Sequence, residues 1–178
     1  KHKQLIFGLE SAWFNYFKKK KINLIPLNYN NFDKKKIMNI KPQGLILSGG
    51  NNLYNIEKKK ENLIRDNYER KFLIFAIKNK IPVLAVCRGF QFVSKFFKCK
   101  IHKITKHVRT SHSLKINRSI LKNKIKVMNV NSYHNYAVYN LPRHFNLIIR
   151  SKDKSIEMAR SNKYRILCLM FHPERSNL

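Results

Sequence analysis

Apolar and polar positions follow two rhythms along this chain, and the change between them separates a first half from a second. Short apolar runs at Gln4–Gly8, Ile22–Leu27 and Gly44–Leu47 have the length of strands, and Ser11–Lys20 carries a helical repeat between the first two. Strand, helix, strand is the order of a βαβ unit. Ile56–Asn79 predicts a long helix, with Leu63, Tyr68, Phe72, Phe75 and Ala76 near helical spacing, ending ahead of Pro82. Pro82–Val86 is almost continuously apolar, as a parallel strand covered on both faces must be. The chain turns sharply at Cys87-Arg88-Gly89, and Phe90–Phe97 resumes a helical pattern. After Lys100 the texture becomes β-like, with runs at Leu114–Ile116, Ile125–Val130, Leu147–Arg150, Ser155–Ala159 and Arg165–Phe171. The pattern predicts an α/β protein: a central, mostly parallel sheet with helices on both faces, and additional antiparallel strands in the second half. With no repeat, low-complexity linker or boundary signal, residues 1–178 read as a single domain.

Composition narrows the class. A length of 178 residues with 43% apolar content suffices for a buried core. The longest apolar stretches, Phe72–Ile77 and Ile81–Cys87, are separated by Lys78, Asn79 and Lys80, and both fall short of the ~20 residues a bilayer span requires. The basic start Lys1-His2-Lys3-Gln4 leads to Glu10 and Asn15 rather than to an uninterrupted apolar run, so no signal peptide is indicated. The absence of Met at the first position suggests trimming. Three cysteines, Cys87, Cys99 and Cys168, lack CxxC spacing and give neither a disulfide framework nor a zinc site. A soluble protein of the reducing cytoplasm is the expectation. The net charge of +29 would ordinarily point to nucleic acid. Here the excess is mostly Lys, spread through the chain among Asn and Ile, so it reads as a residue bias. Runs at Lys18–Lys21, Lys34–Lys36 and Lys58–Lys60 fit solvated helix faces, on a surface that attracts small anionic ligands. Neither nucleic acid nor membrane is an expected partner.

Chemistry concentrates at two places. In Ile81–Gln91 a buried strand runs into a small-residue turn and then a helix. Such a turn lifts Cys87 above the sheet at a helix N-terminus, where free backbone N–H groups favour a thiolate and can stabilise an oxyanion. A buried, inert Cys at a strand end is an equally common reading of that segment alone. The second place is Phe171-His172-Pro173-Glu174, after the apolar run Ile166–Met170. The two-residue strand repeat puts His172 and Glu174 on one side, so that the carboxylate can orient an imidazole that activates a thiol. Together the segments make a Cys/His/Glu triad plausible.

Cys87-Arg88-Gly89-Phe90-Gln91 with a late His172-Pro173-Glu174 resembles the class I glutamine amidotransferase superfamily, whose motifs read CxGxQ and HPE. Its γ-glutamyl hydrolase branch is further suggested by three segments. Gly44–Asn51 resembles a GGxD loop, Arg65-Asp66 with Glu69 resembles an RDxxE helix, and Val130–His134 resembles a substrate loop. The resemblance runs from about Gly44 to Glu174 with its motifs in order. It implies a flavodoxin-like fold and cleavage of a γ-glutamyl amide through a thioester on Cys87. His172 would be the general base and then acid, and Glu174 the orienting carboxylate. The Gly50 and Arg88 backbone N–H groups would form the oxyanion hole. Gln91, Asn131, Ser132, Tyr133 and His134 would hold the substrate.

The resemblance calls for no cofactor. It implies a small γ-glutamyl substrate, nucleotide-linked in the reading that the basic charge favours, and permits a separate pathway or synthase partner. Some residues depart from the pattern or stay outside it. Asn51-Asn52 stands where an acidic residue often follows the double glycine. Arg65, Asp66 and Glu69 read as a salt-bridge set on a helix surface. His107 and His112 read as structural polar residues between strands, and Cys99 and Cys168 as ordinary thiols. No HxxxH motif or carboxylate cluster asks for a metal. Three alternatives remain open at this point: a glutaminase subunit supplying ammonia to a synthase, a γ-glutamylamine hydrolase, and a nucleic-acid-binding protein on a degenerate amidotransferase fold.

Overall fold

The computed structural model describes residues 8–27, 33–116 and 127–175. The first half comprises α1 (Ser11–Lys18), α2 (Lys34–Ile40), β1 (Leu45–Leu47), α3 (Lys60–Lys78), β2 (Val83–Val86) and α4 (Arg88–Phe96). The second comprises β3 (His102–Lys103), β4 (Val108–Ile116), β5 (Val127–Tyr133), β6 (Tyr136–Ala137), β7 (Asn146–Arg150), β8 (Ile156–Ser161), β9 (Ile166–Leu169) and a 3-10 turn at Pro173–Arg175.

The sequence dictates several boundaries directly. Asp33 caps α2 by accepting from the backbone N–H groups of Lys35 at 2.8 Å and Lys36 at 3.2 Å, which satisfies donors the helix cannot use itself. Asn79 closes α3 through its side-chain amide to Phe75 O at 2.8 Å. Lys80, with φ 54°, then turns the chain so that Pro82 can begin the run into β2.

Seven strands form one sheet in the order β1-β2-β9-β8-β7-β4-β5, and β3 pairs with β6 apart from it. β1, β2 and β9 run parallel, in register as Leu47↔Ala85 and Val86↔Leu169, whereas β8, β7, β4 and β5 join antiparallel. The period of two explains the apolar texture of the parallel strands. Val83 and Ala85 of β2, with Ile166 and Cys168 of β9, meet Leu73 and Ala76 of α3 and Phe90 and Val93 of α4 on one face. Leu84 and Val86, with Leu167 and Leu169, meet Trp13 and Phe17 of α1 on the other. Helices thus cover both faces, and each fully buried Leu or Phe contributes about 1.5–3 kcal/mol.

Some expected elements differ. Ile22–Leu27 has no regular structure and pairs with no strand among the described residues, and Ile22, Ile25 and Leu27 are exposed. A short apolar run becomes a strand only where a neighbour supplies hydrogen-bond partners, and the run alone does not reveal that neighbour. The strand read at Gln4–Gly8 lies outside the described residues except for Gly8, which has no regular structure. The helix expected from Ile56 starts at Lys60, because Leu53–Glu57 is taken up by a turn in which Leu53 O accepts from the N–H groups of Ile56 and Glu57 at 3.0 Å each. α2 does carry the Lys34–Lys36 run on an exposed helix face, as expected. Among the described residues no helix is long and apolar enough to cross a membrane.

Candidate active site

Two neighbouring parallel strands deliver the reactive groups to one edge of the sheet. Cys87 follows the last residue of β2 and donates its backbone N–H to Leu169 O, the end of β9, at 2.7 Å. The chain emerging from β9 reaches His172 three residues later. Cys87 has φ 52° and ψ −103°, a conformation that L residues rarely hold and that persists only where the surroundings impose it. Those surroundings are a strand on one side and the first turn of α4 on the other. Gly89 completes the fit: a Cβ there would collide with the Leu47 carbonyl oxygen, so only glycine lets α4 start this close to β1.

The Cys87 thiol is buried, which pushes its pKa up to about 12, while the Arg88 backbone N–H and the Arg175 guanidinium pull the other way. At neutral pH the sulfur therefore keeps its proton until a base removes it. His172 is also buried, with Nδ1 2.6 Å from Glu174 Oε1, an arrangement that fixes the ring and places the proton-handling lone pair on Nε2. The pairing arises differently from the expectation. β9 ends at Leu169, and Glu174 reaches back from the 3-10 turn rather than sharing one face of a strand with His172.

Asn131 brackets His172 from the facing strand. Its Oδ1 accepts the His172 backbone N–H and its Nδ2 donates to His172 O, both at 2.8 Å. Both polar ends of Asn131 are thereby occupied by the histidine backbone. Ser132 is buried and donates to His107 O at 2.7 Å, and His134 is buried with Nδ1 3.1 Å from Tyr136 O. Of the loop expected to hold substrate, Tyr133 is the exposed member. Its ring stands edge-on to His172 at 5.9 Å, with Arg175 over its face at 4.7 Å. Gln91 is buried and donates to Tyr136 O at 3.0 Å, fastening α4 to that loop.

The double glycine lies on the opposite side. A Cβ at Gly49 would come within 2.6 Å of the His172 ring, and Gly50, at φ 131°, would meet the Arg65 guanidinium at 2.6 Å. Arg65, read from sequence as one of a helix-surface set, is buried instead. It donates to Ser48 O at 2.9 Å and Gly49 O at 3.0 Å, and from Nε to Glu69 at 2.7 Å. Arg88, 1% exposed, donates to Glu69 and Asp66. Burial pulls the Arg88 pKa down, and the charge of Glu69 opposes that. The set is therefore a buried network tying α3 to the glycine loop and to α4. The helical spacing of these residues was legible, but tertiary contact decided which side of α3 faces inward.

A second polar cluster lies beneath the Asn131–His134 loop. His107, His134 and Glu157 are all buried, and one donor atom from each falls within 4.8 Å of the others, so they could hold a metal ion. No metal was expected from sequence. The three residues stand far apart along the chain, with none of the short spacings that announce a ligand set. Arg175, whose charge acts on the Cys87 sulfur, was not legible as a site residue either. Its position directly after His-Pro-Glu was the available signal, lost among 38 basic residues.

A strained Cys at a strand-to-helix elbow, a His–Glu pair beyond the adjacent strand and a double-glycine loop at the His ring together define a class. The sequence profile of the glutamine amidotransferase class-I family matches residues 8–177, and the chain belongs to that family. It is 31% identical over 139 residues to the gamma-glutamyl-CDP-amidate hydrolase of Campylobacter jejuni, covering 76% of this chain and 64% of the relative. It is 30% identical over 141 residues to a glutamine-hydrolyzing GMP synthase subunit of Pyrococcus abyssi, covering 78% of this chain and 69% of that protein. The fold is shared with a glutamine amidotransferase of Thermotoga maritima, with a TM-score of 0.74, 17% identity, and coverage of 92% and 70% of the two chains. The chain thus spans just under two thirds of the length of the Campylobacter relative.

Proposed function

We propose that the chain hydrolyses a γ-glutamyl amide bond through a thioester on Cys87. The observation that carries this reading is the positive-φ conformation of Cys87 at the start of α4, one strand away from a buried His172–Glu174 pair. The Cys87 sulfur attacks the γ-carbonyl carbon as its proton passes to His172 Nε2. The oxygen gains negative charge against the backbone N–H groups of Gly50 and Arg88. Collapse breaks the C–N bond, and His172 returns the proton to the departing nitrogen. Water, deprotonated by His172, then cleaves the thioester to glutamate and regenerates the thiol. Glu174 holds the ring in the required tautomer throughout. Gln91 and the backbone of the Asn131–His134 loop border the glutamyl group, and Tyr133 closes the site from solvent.

His172→Asn is expected to lower kcat nearly as far as loss of the sulfur. Glu174→Gln should cost less, because orientation contributes less than proton transfer. Steady-state kinetics on folded variants decide between these roles, and a Glu174→Gln enzyme slower than His172→Asn would reverse the assignment.

For the leaving group we favour the nucleoside diphosphoramidate of γ-glutamyl-CDP-amidate, a substrate belonging to capsular polysaccharide phosphoramidate synthesis. The similarity to the Campylobacter hydrolase supports it, as does a net charge of +29 that would concentrate a polyanionic substrate. Binding energy from the nucleotide would align the γ-carbonyl on Cys87, so the preference over glutamine should appear in kcat as well as in KM. The isolated protein is expected to give a higher kcat/KM for γ-glutamyl-CDP-amidate than for glutamine, with added salt eroding the difference. Equal or better hydrolysis of glutamine would move the reading to a glutaminase subunit feeding a synthase, which the similarity to the Pyrococcus GMP synthase protein favours. Glutamine hydrolysis appearing only with an added synthase partner would do the same. Salt-dependent duplex binding without any thioester would overturn the hydrolase reading.

A further inference from the structure

We infer that His107, His134 and Glu157 bind a structural zinc ion beneath the loop that brackets His172. Three polar atoms at this place are buried and have no hydrogen-bond partner: His134 Nε2 and both carboxylate oxygens of Glu157. Glu157 is 0% exposed and His134 3%. A carboxylate withdrawn from water without any donor is costly, and such groups in folded proteins are resolved by an ion or an ordered water.

The surroundings prepare the nitrogens to donate lone pairs. His134 Nδ1 is 3.1 Å from Tyr136 O, so that nitrogen carries a proton, and Nε2 faces Glu157 Oε1, 3.7 Å away, where a neutral ring would present its lone pair. A lone pair facing a carboxylate repels it unless a cation lies between them. His107 Nε2 is 2.8 Å from Asp153 Oδ2, the carboxylate–histidine arrangement that orients metal-bound imidazoles and leaves Nδ1 as the donor. His112 Nε2, 3.0 Å from that Nδ1, stands outside the three residues whose donor atoms lie within 4.8 Å of one another. Ligand atoms about 2.0–2.1 Å from a tetrahedral zinc are roughly 3.3 Å from one another, and the 3.7 Å separation of His134 Nε2 and Glu157 Oε1 is close to that edge. Two imidazoles and one carboxylate, with a water in the fourth position, are a donor set that suits zinc.

The position explains what the ion would do. His107 precedes β4, His134 follows β5, and Glu157 sits on β8. The same residues already join the site through their backbones. His107 O accepts from Ser132 Oγ and the His134 N–H, and Glu157 O accepts from Met170 N–H at 2.8 Å, two residues before His172. A zinc ion here would clamp three chain segments behind Asn131 and His172. It would act as a brace rather than a reactant, and it does not depend on the identity of the substrate.

The test uses tag-free protein, stripped with a chelator and reloaded with zinc alone, then with cobalt alone. One zinc per chain should survive gel filtration, and reloading should raise Tm by roughly 5–15 °C at zinc concentrations well above Kd. The cobalt-loaded protein should show visible bands of four-coordinate geometry without the thiolate-to-metal band that any site including Cys87, Cys99 or Cys168 would add. Glu157→Gln and His107→Gln should each lose the stoichiometric metal. Substoichiometric zinc with no change in Tm would overturn the proposal and leave a His134–Glu157 pair bridged by a proton or a water. A thiolate band would overturn it in favour of cysteine ligation. The cobalt spectrum and the wild-type metal count decide the matter even if both variants fail to fold.

Discussion

Cys87→Ala should abolish γ-glutamyl hydrolysis, lowering kcat by at least ~10³-fold, because no other group can form the thioester. Cys99→Ala should leave turnover near the wild-type value, since its thiol is only partly buried and lies away from the elbow. Cys168→Ala is the more stringent control. Its thiol is buried among the face of the sheet that packs α3 and α4, so the variant should lose about 1 kcal/mol of stability while turning over normally. Mass spectrometry of the quenched reaction should find a γ-glutamyl adduct on the Cys87 peptide and on neither of the others. Full activity in a folded Cys87→Ala protein would end the thioester mechanism.

Glu69→Ala should be the most destabilising single change on α3. Glu69 accepts from both Arg65 and Arg88, and Arg88 is 1% exposed, so removing the carboxylate leaves two guanidinium groups in or near the interior with fewer partners. Breaking a buried pair from one side costs about 3–5 kcal/mol, or roughly 10 °C in Tm for a chain of this size. Lys59→Ala removes an exposed pair with Glu57 and should leave the transition unmoved. Calorimetry on the two variants reads the difference directly. The catalytic consequence should follow the structural one, because Arg65 holds Ser48 O and Gly49 O and so fixes the loop that presents the Gly50 N–H. Equal midpoints for Glu69→Ala and wild type would show that the network is solvated and that Arg88 is balanced by other groups.

What the sequence determined by itself was local or periodic. The apolar run Pro82–Val86 feeding Cys87-Arg88-Gly89 gave β2, the elbow and α4, because strand period, helix period and glycine placement are properties of neighbouring residues. His172 and Glu174 are two residues apart, so their meeting needed only a turn, although which turn was not legible. For the same reason the runs at Leu147–Arg150, Ser155–Ala159 and Arg165–Phe171 match β7, β8 and β9 to within two residues, whereas β4 starts at Val108, well ahead of the run at Leu114–Ile116. Partners distant in sequence were decided only by the tertiary structure. A short apolar run marked Ile22–Leu27 as a strand, and among the described residues no strand pairs with it. Helical spacing placed Arg65, Asp66 and Glu69 on one surface of α3, but docking against α4 turned that surface inward and converted an exposed salt-bridge set into the brace of the glycine loop. Asn131 read as a substrate contact because it sits in a loop motif, and β5 instead delivers both ends of its amide to the His172 backbone. His107, His134 and Glu157 carry no common spacing at all. They meet because β4, β5 and β8 belong to one sheet whose strand order the chain does not spell out, and burial then removes the water that would otherwise have satisfied them.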